Sequence, residues 1–155
     1  MIEAPALEVA QWFNTPHPLA LSGLRGKVVV LHAFQMLCPG CVQHGIPQAQ
    51  RIYVQFDRDD VEVIGLHTVF EHHDVMGPAA LKAFIHENRL AFPIAVDKPD
   101  GDGGIPRTMR LYSMRGTPTL ILIDRQGALR FQQTGQVDDL AVGALIGQLL
   151  AEAPR

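Results

Sequence analysis

Cys38-Pro39-Gly40-Cys41 holds the only two cysteines of the chain, and two thiols at this spacing can do redox chemistry. They can close a small disulfide ring, and a helix beginning between them stabilises the ionised form of the first thiol. The thiolate is the nucleophile. Cys38, directly after an apolar strand pattern, is therefore the expected attacker, exposed at the helix start. Cys41, inside the first turn, is the expected shielded resolving thiol. Attack on a disulfide gives a mixed disulfide through Cys38, which Cys41 then releases.

Other uses of the pair carry less weight. A structural disulfide here would close too small a loop to stabilise much through chain entropy. A zinc site needs four ligands, and the two sulfurs would have to be joined by His44 and His67. A redox catalyst is the favoured reading.

The rest of the chain must present these thiols. Its 155 residues, 47% hydrophobic, suit one compact domain over residues 1–155. A net charge of -3 without any basic run excludes a nucleic-acid partner. No apolar stretch is long enough to span a bilayer. Residues 1–14 contain Glu3 and Glu8 and lack a basic start followed by an apolar run, so they do not read as a signal peptide. The expected location is cytoplasmic, with periplasmic the alternative if a leader has been removed. No cofactor is implied, and a monomer is expected.

Residues 27–34 (KVVVLHAF) are apolar on both alternating faces, the pattern of a central strand covered on both sides. Residues 39–56 carry Val42, Ile46, Ala49, Ile52, Tyr53 and Phe56 near helical spacing, with Pro47 expected to kink the helix or split off its first turns. A second strand is predicted at 61–69, a helix opened by proline at 78–88, and a short strand at 92–96. A Gly-rich loop follows at 97–104, then a short helix at 105–112. Residues 119–123 and 128–134 read as a hairpin around a turn at 124–127, and 138–151 as a terminal helix. This order gives one α/β domain, and in such sheets ligands collect at the carboxyl ends of the strands, where Cys38 stands.

Several motifs together carry a resemblance. Gly26-Lys27-Val28-Val29-Val30 is a family strand entry, and Phe34 to Cys41 is an aromatic-loop-Cys-X-X-Cys segment. Phe84 with Phe92-Pro93 resembles an inserted helix and strand. Thr117-Pro118-Thr119, followed by Leu120 to Asp124 and Gly127, resembles a cis-proline loop and its hairpin. Over residues 21–150 the chain resembles the thioredoxin superfamily, closest to TlpA/ResA-like thiol-disulfide oxidoreductases. Gly65-Leu66-His67-Thr68 with Phe70-Glu71 is further similar to thioredoxin domains attached to NHL-repeat or DipZ-type proteins. The resemblance implies a thioredoxin-like α/β fold: a central mixed sheet flanked by helices, with a TlpA-like inserted helix and strand. It implies a cis Thr117-Pro118 bond packed against the Cys38 sulfur, with the Thr117 backbone free to pair with an extended substrate. Cys38, Cys41 and His32 are then the candidate catalytic residues, and Thr117, Pro118, Pro39 and Gly40 the candidate substrate-binding ones. The implied partners are a protein or small-molecule disulfide or dithiol and an upstream electron donor.

Departures from the family pattern refine this. Thioredoxins carry a buried aspartate six residues before the first cysteine; here that place holds His32, expected in the core beneath the site. As a neutral imidazole with a pKa nearer neutrality it would move protons for the resolving thiol, or it is a core histidine bonded to backbone. His44 replaces a glutamate often found three residues after the second cysteine, and is expected neutral and facing solvent. Pro47 falls one residue late, so a bulge is expected in the first helical turns. Leu37 replaces the tryptophan that commonly precedes the first cysteine. A peroxiredoxin needs Ser or Thr three residues before its cysteine and a proline upstream; Gln35 and Leu31 stand there. A zinc-binding or redox-sensing adaptor on Cys38, Cys41 and His44 is the remaining alternative. His72-His73 is expected on a solvated loop, and Trp12-Phe13 as a hydrophobic lid.

Overall fold

The computed structural model describes residues 1–101 and 103–152. Asp102 of the expected Gly-rich loop, and the last three residues of the expected domain, lie outside the described residues.

β2 (Val28–Phe34) is buried at all seven positions, as its unbroken apolar run requires. It pairs in parallel with β3 (Val61–His67) and antiparallel with β5 (Thr119–Ile123). Beyond β3 comes β4 (Ile94–Asp97), parallel, and then β1 (Val9–Phe13), antiparallel. β6 (Leu129–Thr134) closes the other edge, so the sheet runs β1-β4-β3-β2-β5-β6. It is a mixed, six-stranded sheet.

Strand periodicity divides the core in two. Val28, Val30 and Phe34 face α1 (Ile46–Gln55), α2 (Pro78–Glu87) and α4 (Asp139–Ala151) through Ile52, Leu81 and Ile146. Val29, Leu31 and Ala33 face α3 (Arg107–Leu111) and a 3-10 turn at Leu21–Leu24, through Met109, Leu21 and Leu24. The β2 carboxyl end, sealed on both faces, delivers the chain to Cys38.

The segment after the cysteines departs from a plain helix. Cys41–Gly45 is π-helical, and the Ile46 N–H reaches back to the Cys41 carbonyl before α1 begins. Pro47 explains this: without an N–H it cannot close the ordinary four-residue bond, and the preceding turn widens. The bulge expected from its late position is present.

Sequence reasoning missed β1. Trp12 and Phe13, expected as a lid, lie on this edge strand opposite Ala95 and Ile94, and pack into opposite cores. The strand is irregular between Val9 and Gln11, which blurs its alternation, and its partner lies more than eighty residues away. Asn14, at φ 62, ends it and ties it to the insert by donating to the Leu90 and Phe92 carbonyls at 2.7 and 3.1 Å. β4 starts at Ile94 because Pro93 has no N–H, though its carbonyl accepts from Gly65 at 2.9 Å.

Candidate active site

The loop after β2 turns tightly, with the Cys38 N–H donating to the Gln35 carbonyl at 3.1 Å. This sets Cys38 half-buried at the helix start and Cys41 fully buried behind it. Their sulfurs are 2.6 Å apart, and the Cys41 N–H donates to the Cys38 sulfur at 3.3 Å. That contact is the helix-start donor expected from the sequence.

The Thr117–Pro118 peptide bond is cis. It brings the Thr117 carbonyl to 3.5 Å from the Cys38 sulfur, where it accepts the thiol proton. A Cβ on Gly40 would stand 3.4 Å from the Pro118 ring, so the two turns lie side by side at contact distance. Cys38, Cys41, Gly40, Thr117 and Pro118 therefore form one site, with Pro39 exposed at its outer edge. Leu37 and Val42, exposed by 57% and 42%, provide aliphatic shoulders where an aromatic surface is missing.

Burial, followed by the Cys38 contact, pushes the Cys41 thiol up to about 12, while the Gln35 backbone and the Thr117 side chain pull it back down. Cys41 is thus held as a protonated thiol until its turn in the exchange.

His32 lies under Gly45, four residues past Cys41, 2% exposed, with Nδ1 lacking any hydrogen-bond partner among the described residues. Its ring fills the space below Gly45, where a Cβ would collide with Cε1 and Nε2. Burial lowers its pKa to about 4, which corrects the expectation of a value nearer neutrality. The alternative of a ring tied to backbone fails at Nδ1. The ring also walls a cleft of about 320 Å³ that reaches Gln48, Gln136 and Asp139.

His67 is buried at the end of β3, and its Nε2 accepts the Met36 N–H at 3.3 Å. It supports the active-site loop from below and is already committed to that role. His44 is exposed. Among the described residues no group of three or more His, Cys, Asp or Glu is placed to hold a metal, so the zinc arrangement on Cys38, Cys41, His44 and His67 is not formed.

Gln35 was the residue undervalued from sequence, where only its lack of a hydroxyl was considered. It is 1% exposed and bonds three segments: it accepts from the Phe70 N–H and donates to Glu71 and Thr117. A polar side chain directly after a fully apolar strand was the available signal.

The two buried histidines predict acid sensitivity. Both lie at about 4, below their ordinary 6.5, so the folded chain binds fewer protons than the unfolded one between these values. Their contribution is complete above pH 6.5 and is lost as pH falls toward 4. Each lowering is worth on the order of 3 kcal/mol. Asp97, raised chiefly by burial, acts in the opposite sense, since acidification relieves its desolvation. Urea midpoints should therefore drop between pH 7 and 4.5, and His67→Gln should flatten that drop. An identical pH slope in His67→Gln would refute the assignment.

Residues 3–132 match the AhpC/TSA family. The chain is 32% identical over 154 residues to protein DipZ of Mycobacterium tuberculosis, covering 97% of itself but 21% of that protein. It is 28% identical over 118 residues to the thiol-disulfide oxidoreductase ResA of Bacillus anthracis, covering 76% of itself and 61% of ResA. The crystal structure of a thiol-disulfide isomerase from Corynebacterium glutamicum is 55% identical, with a TM-score of 0.93 over 97% of this chain and 98% of that one. The chain thus spans about a fifth of DipZ, while matching a solved isomerase end to end. The fold is thioredoxin-like, with α2 and β4 as the insert.

Proposed function

The chain belongs to the AhpC/TSA family, and from that premise we propose that it is a thiol-disulfide oxidoreductase working on protein disulfides through Cys38 and Cys41. The observation that carries this is the pairing of a half-buried and a fully buried thiol, 2.6 Å apart, beside a cis proline.

Cys38 attacks as the thiolate, assisted by the Cys41 N–H at 3.3 Å. One substrate sulfur leaves as a thiol and the other stays bonded to Cys38. Cys41 then loses its proton and attacks the Cys38 sulfur, which forms the intramolecular disulfide and frees the reduced substrate. The substrate chain lies along Pro39, Gly40, Thr117 and Pro118, pairing with the Thr117 backbone as an added strand. Its side chains meet the aliphatic surfaces of Leu37 and Val42.

His32 takes part as a neutral imidazole. With its conjugate acid near 4 it stays neutral at pH 7, and its ring lines the adjoining cleft through which the proton lost by Cys41 would leave. An upstream electron donor regenerates the dithiol. In the cytoplasm, the proposed compartment, the dithiol reduces its substrates; in the periplasm the same chemistry would run toward oxidation or isomerisation. No partner subunit is needed for this cycle, in keeping with a monomer. Among the described residues no helix is long and apolar enough to cross a membrane.

A peroxidase would use a hydroxyl three residues before Cys38 to hold peroxide, and Gln35 stands there with its carboxamide already engaged. The test is insulin reduction driven by dithiothreitol. The chain should accelerate precipitation of the insulin B chain well above dithiothreitol alone while consuming hydrogen peroxide only slowly. Rapid peroxide turnover with no effect on insulin would reverse the assignment.

A further inference from the structure

We propose that Glu71 is a specificity-determining residue of the exchange site: its carboxylate, anchored by Gln35 beside Thr117, selects disulfides that carry a positive charge close to the reacting sulfur. The inference deepens the dithiol exchange proposed above and rests on it.

An exposed glutamate ordinarily samples many rotamers, and its charge then favours no one place. Glu71 is exposed, yet it is held from two sides. Its carboxylate accepts from Gln35 Nε2 at 3.3 Å, and the preceding Phe70 N–H donates to Gln35 Oε1 at 3.2 Å. The chain leading to it is pinned as well. The Thr68 N–H donates to the Phe34 carbonyl at 3.1 Å, and the Thr68 hydroxyl donates to buried Asp97 at 2.9 Å. Gln35 is itself 1% exposed, so its carboxamide is a fixed anchor and not a second mobile side chain.

The same carboxamide places the charge at the thiols. Gln35 Nε2 also lies 3.3 Å from Thr117 Oγ1, so Glu71 and Thr117 are neighbours across one shared atom. The Thr117 carbonyl is 3.5 Å from the Cys38 sulfur, and the Gln35 carbonyl accepts from the Cys38 N–H at 3.1 Å. A substrate lying along Thr117 therefore passes the Glu71 carboxylate.

The rest of the platform offers no competing charge. Leu37, Pro39, Gly40, Val42, Thr117 and Pro118 are all uncharged. Arg115, two residues before Thr117, is exposed and lines a separate hollow with Ser113 and Thr134. Among the described residues Glu71 makes no ion pair. Its one anchor is neutral, so its charge is left for the substrate. A lysine or arginine near the substrate cysteine completes the pair, and an acidic residue there is repelled.

The test uses three small disulfides of similar length and different charge. Cystamine carries an ammonium group two carbons from each sulfur, bis(2-hydroxyethyl) disulfide is neutral, and 3,3′-dithiodipropionate is anionic. The Cys38 thiolate breaks the reagent's S–S bond and expels one half as a thiol; Cys41 then attacks Cys38 and expels the other. Each turnover thus oxidises the dithiol to a disulfide and reduces one reagent to two thiols, which take up the two thiol protons. Samples are acid-quenched and alkylated with N-ethylmaleimide, and mass spectrometry counts the chain still reduced.

Glu71→Gln keeps an oxygen for Gln35 Nε2 and removes only the charge. At low salt its reaction with cystamine should slow about threefold, the size of one exposed ion pair. Dithiodipropionate should gain by a similar factor, while the neutral disulfide keeps its rate. Glu71→Lys should carry both changes further in the same directions. The differences should fade at about 1 M salt, where the screening length falls to about 3 Å. Asp74→Asn removes an equal charge from the same exposed segment without a bond to Gln35, and should alter none of the rates.

The same factor for all three reagents in Glu71→Gln, no change included, would overturn the proposal. So would an Asp74→Asn effect as large as that of Glu71→Gln. A wild-type chain oxidised by none of the three would instead remove the exchange reaction itself, and the selectivity with it.

Discussion

Cys38→Ser should abolish insulin reduction, lowering turnover by about three orders of magnitude or more, because a serine hydroxyl in this position has no base to ionise it. Cys41→Ser should fail differently. It retains the attacker and loses only the second step, so mixed disulfides with substrate should accumulate on Cys38. Mass spectrometry of Cys41→Ser incubated with oxidised insulin should find the covalent adduct, which reducing agent removes. Cys38→Ser should give no adduct, since Cys41 is fully buried and sits at about 12. Adducts on Cys41 in the Cys38→Ser chain would reverse the assignment of the two thiols. Neither variant should unfold the chain, because a hydroxyl fills nearly the volume of a thiol. Thermal midpoints close to wild type would confirm that chemistry alone had been removed.

The order of these roles was legible in the sequence, because it follows from local rules. A fully apolar run must be a central strand, the strand must end at the sheet's ligand edge, and a helix start favours the first thiol over the second. The hairpin at β5 and β6 was equally plain from its alternation and turn, within a residue at one end. What escaped depends on contacts between distant segments. β1 finds its partner in the insert's own strand, more than eighty residues along the chain, and nothing in VAQWF reports that. His67 gave no hint that it would hold up Met36, and Gln35 became a hub only once 70–71 and 117 were folded against it. The pKa of His32 was misjudged for the same reason. Its type sets a starting value, whereas burial on every side sets the shift.

The second large effect is expected at Gly45. This glycine is buried in the π-helical turn with an ordinary right-handed backbone, so its identity is not demanded by conformation. Space demands it. A Cβ there would collide with the His32 imidazole and stand 3.2 Å from the Pro118 Cβ. At residue 32 this chain holds a ring, and the absence of a side chain at residue 45 makes room for it. Gly45→Ala should therefore destabilise the chain by about 1–3 kcal/mol, the usual cost of overpacking a filled core. It should also impair the exchange, because the ring and the proline beneath the thiols must shift together. His32→Ala removes the obstacle. In that background Gly45→Ala should be nearly neutral, or favourable by up to about 1 kcal/mol from the ordinary preference of helices for alanine over glycine. Urea unfolding of the four chains in the cycle, with equal slopes, measures the coupling directly. An equal loss from Gly45→Ala in both backgrounds would mean that the helix itself, and not the histidine beneath it, requires glycine, and the link between residues 32 and 45 would be gone.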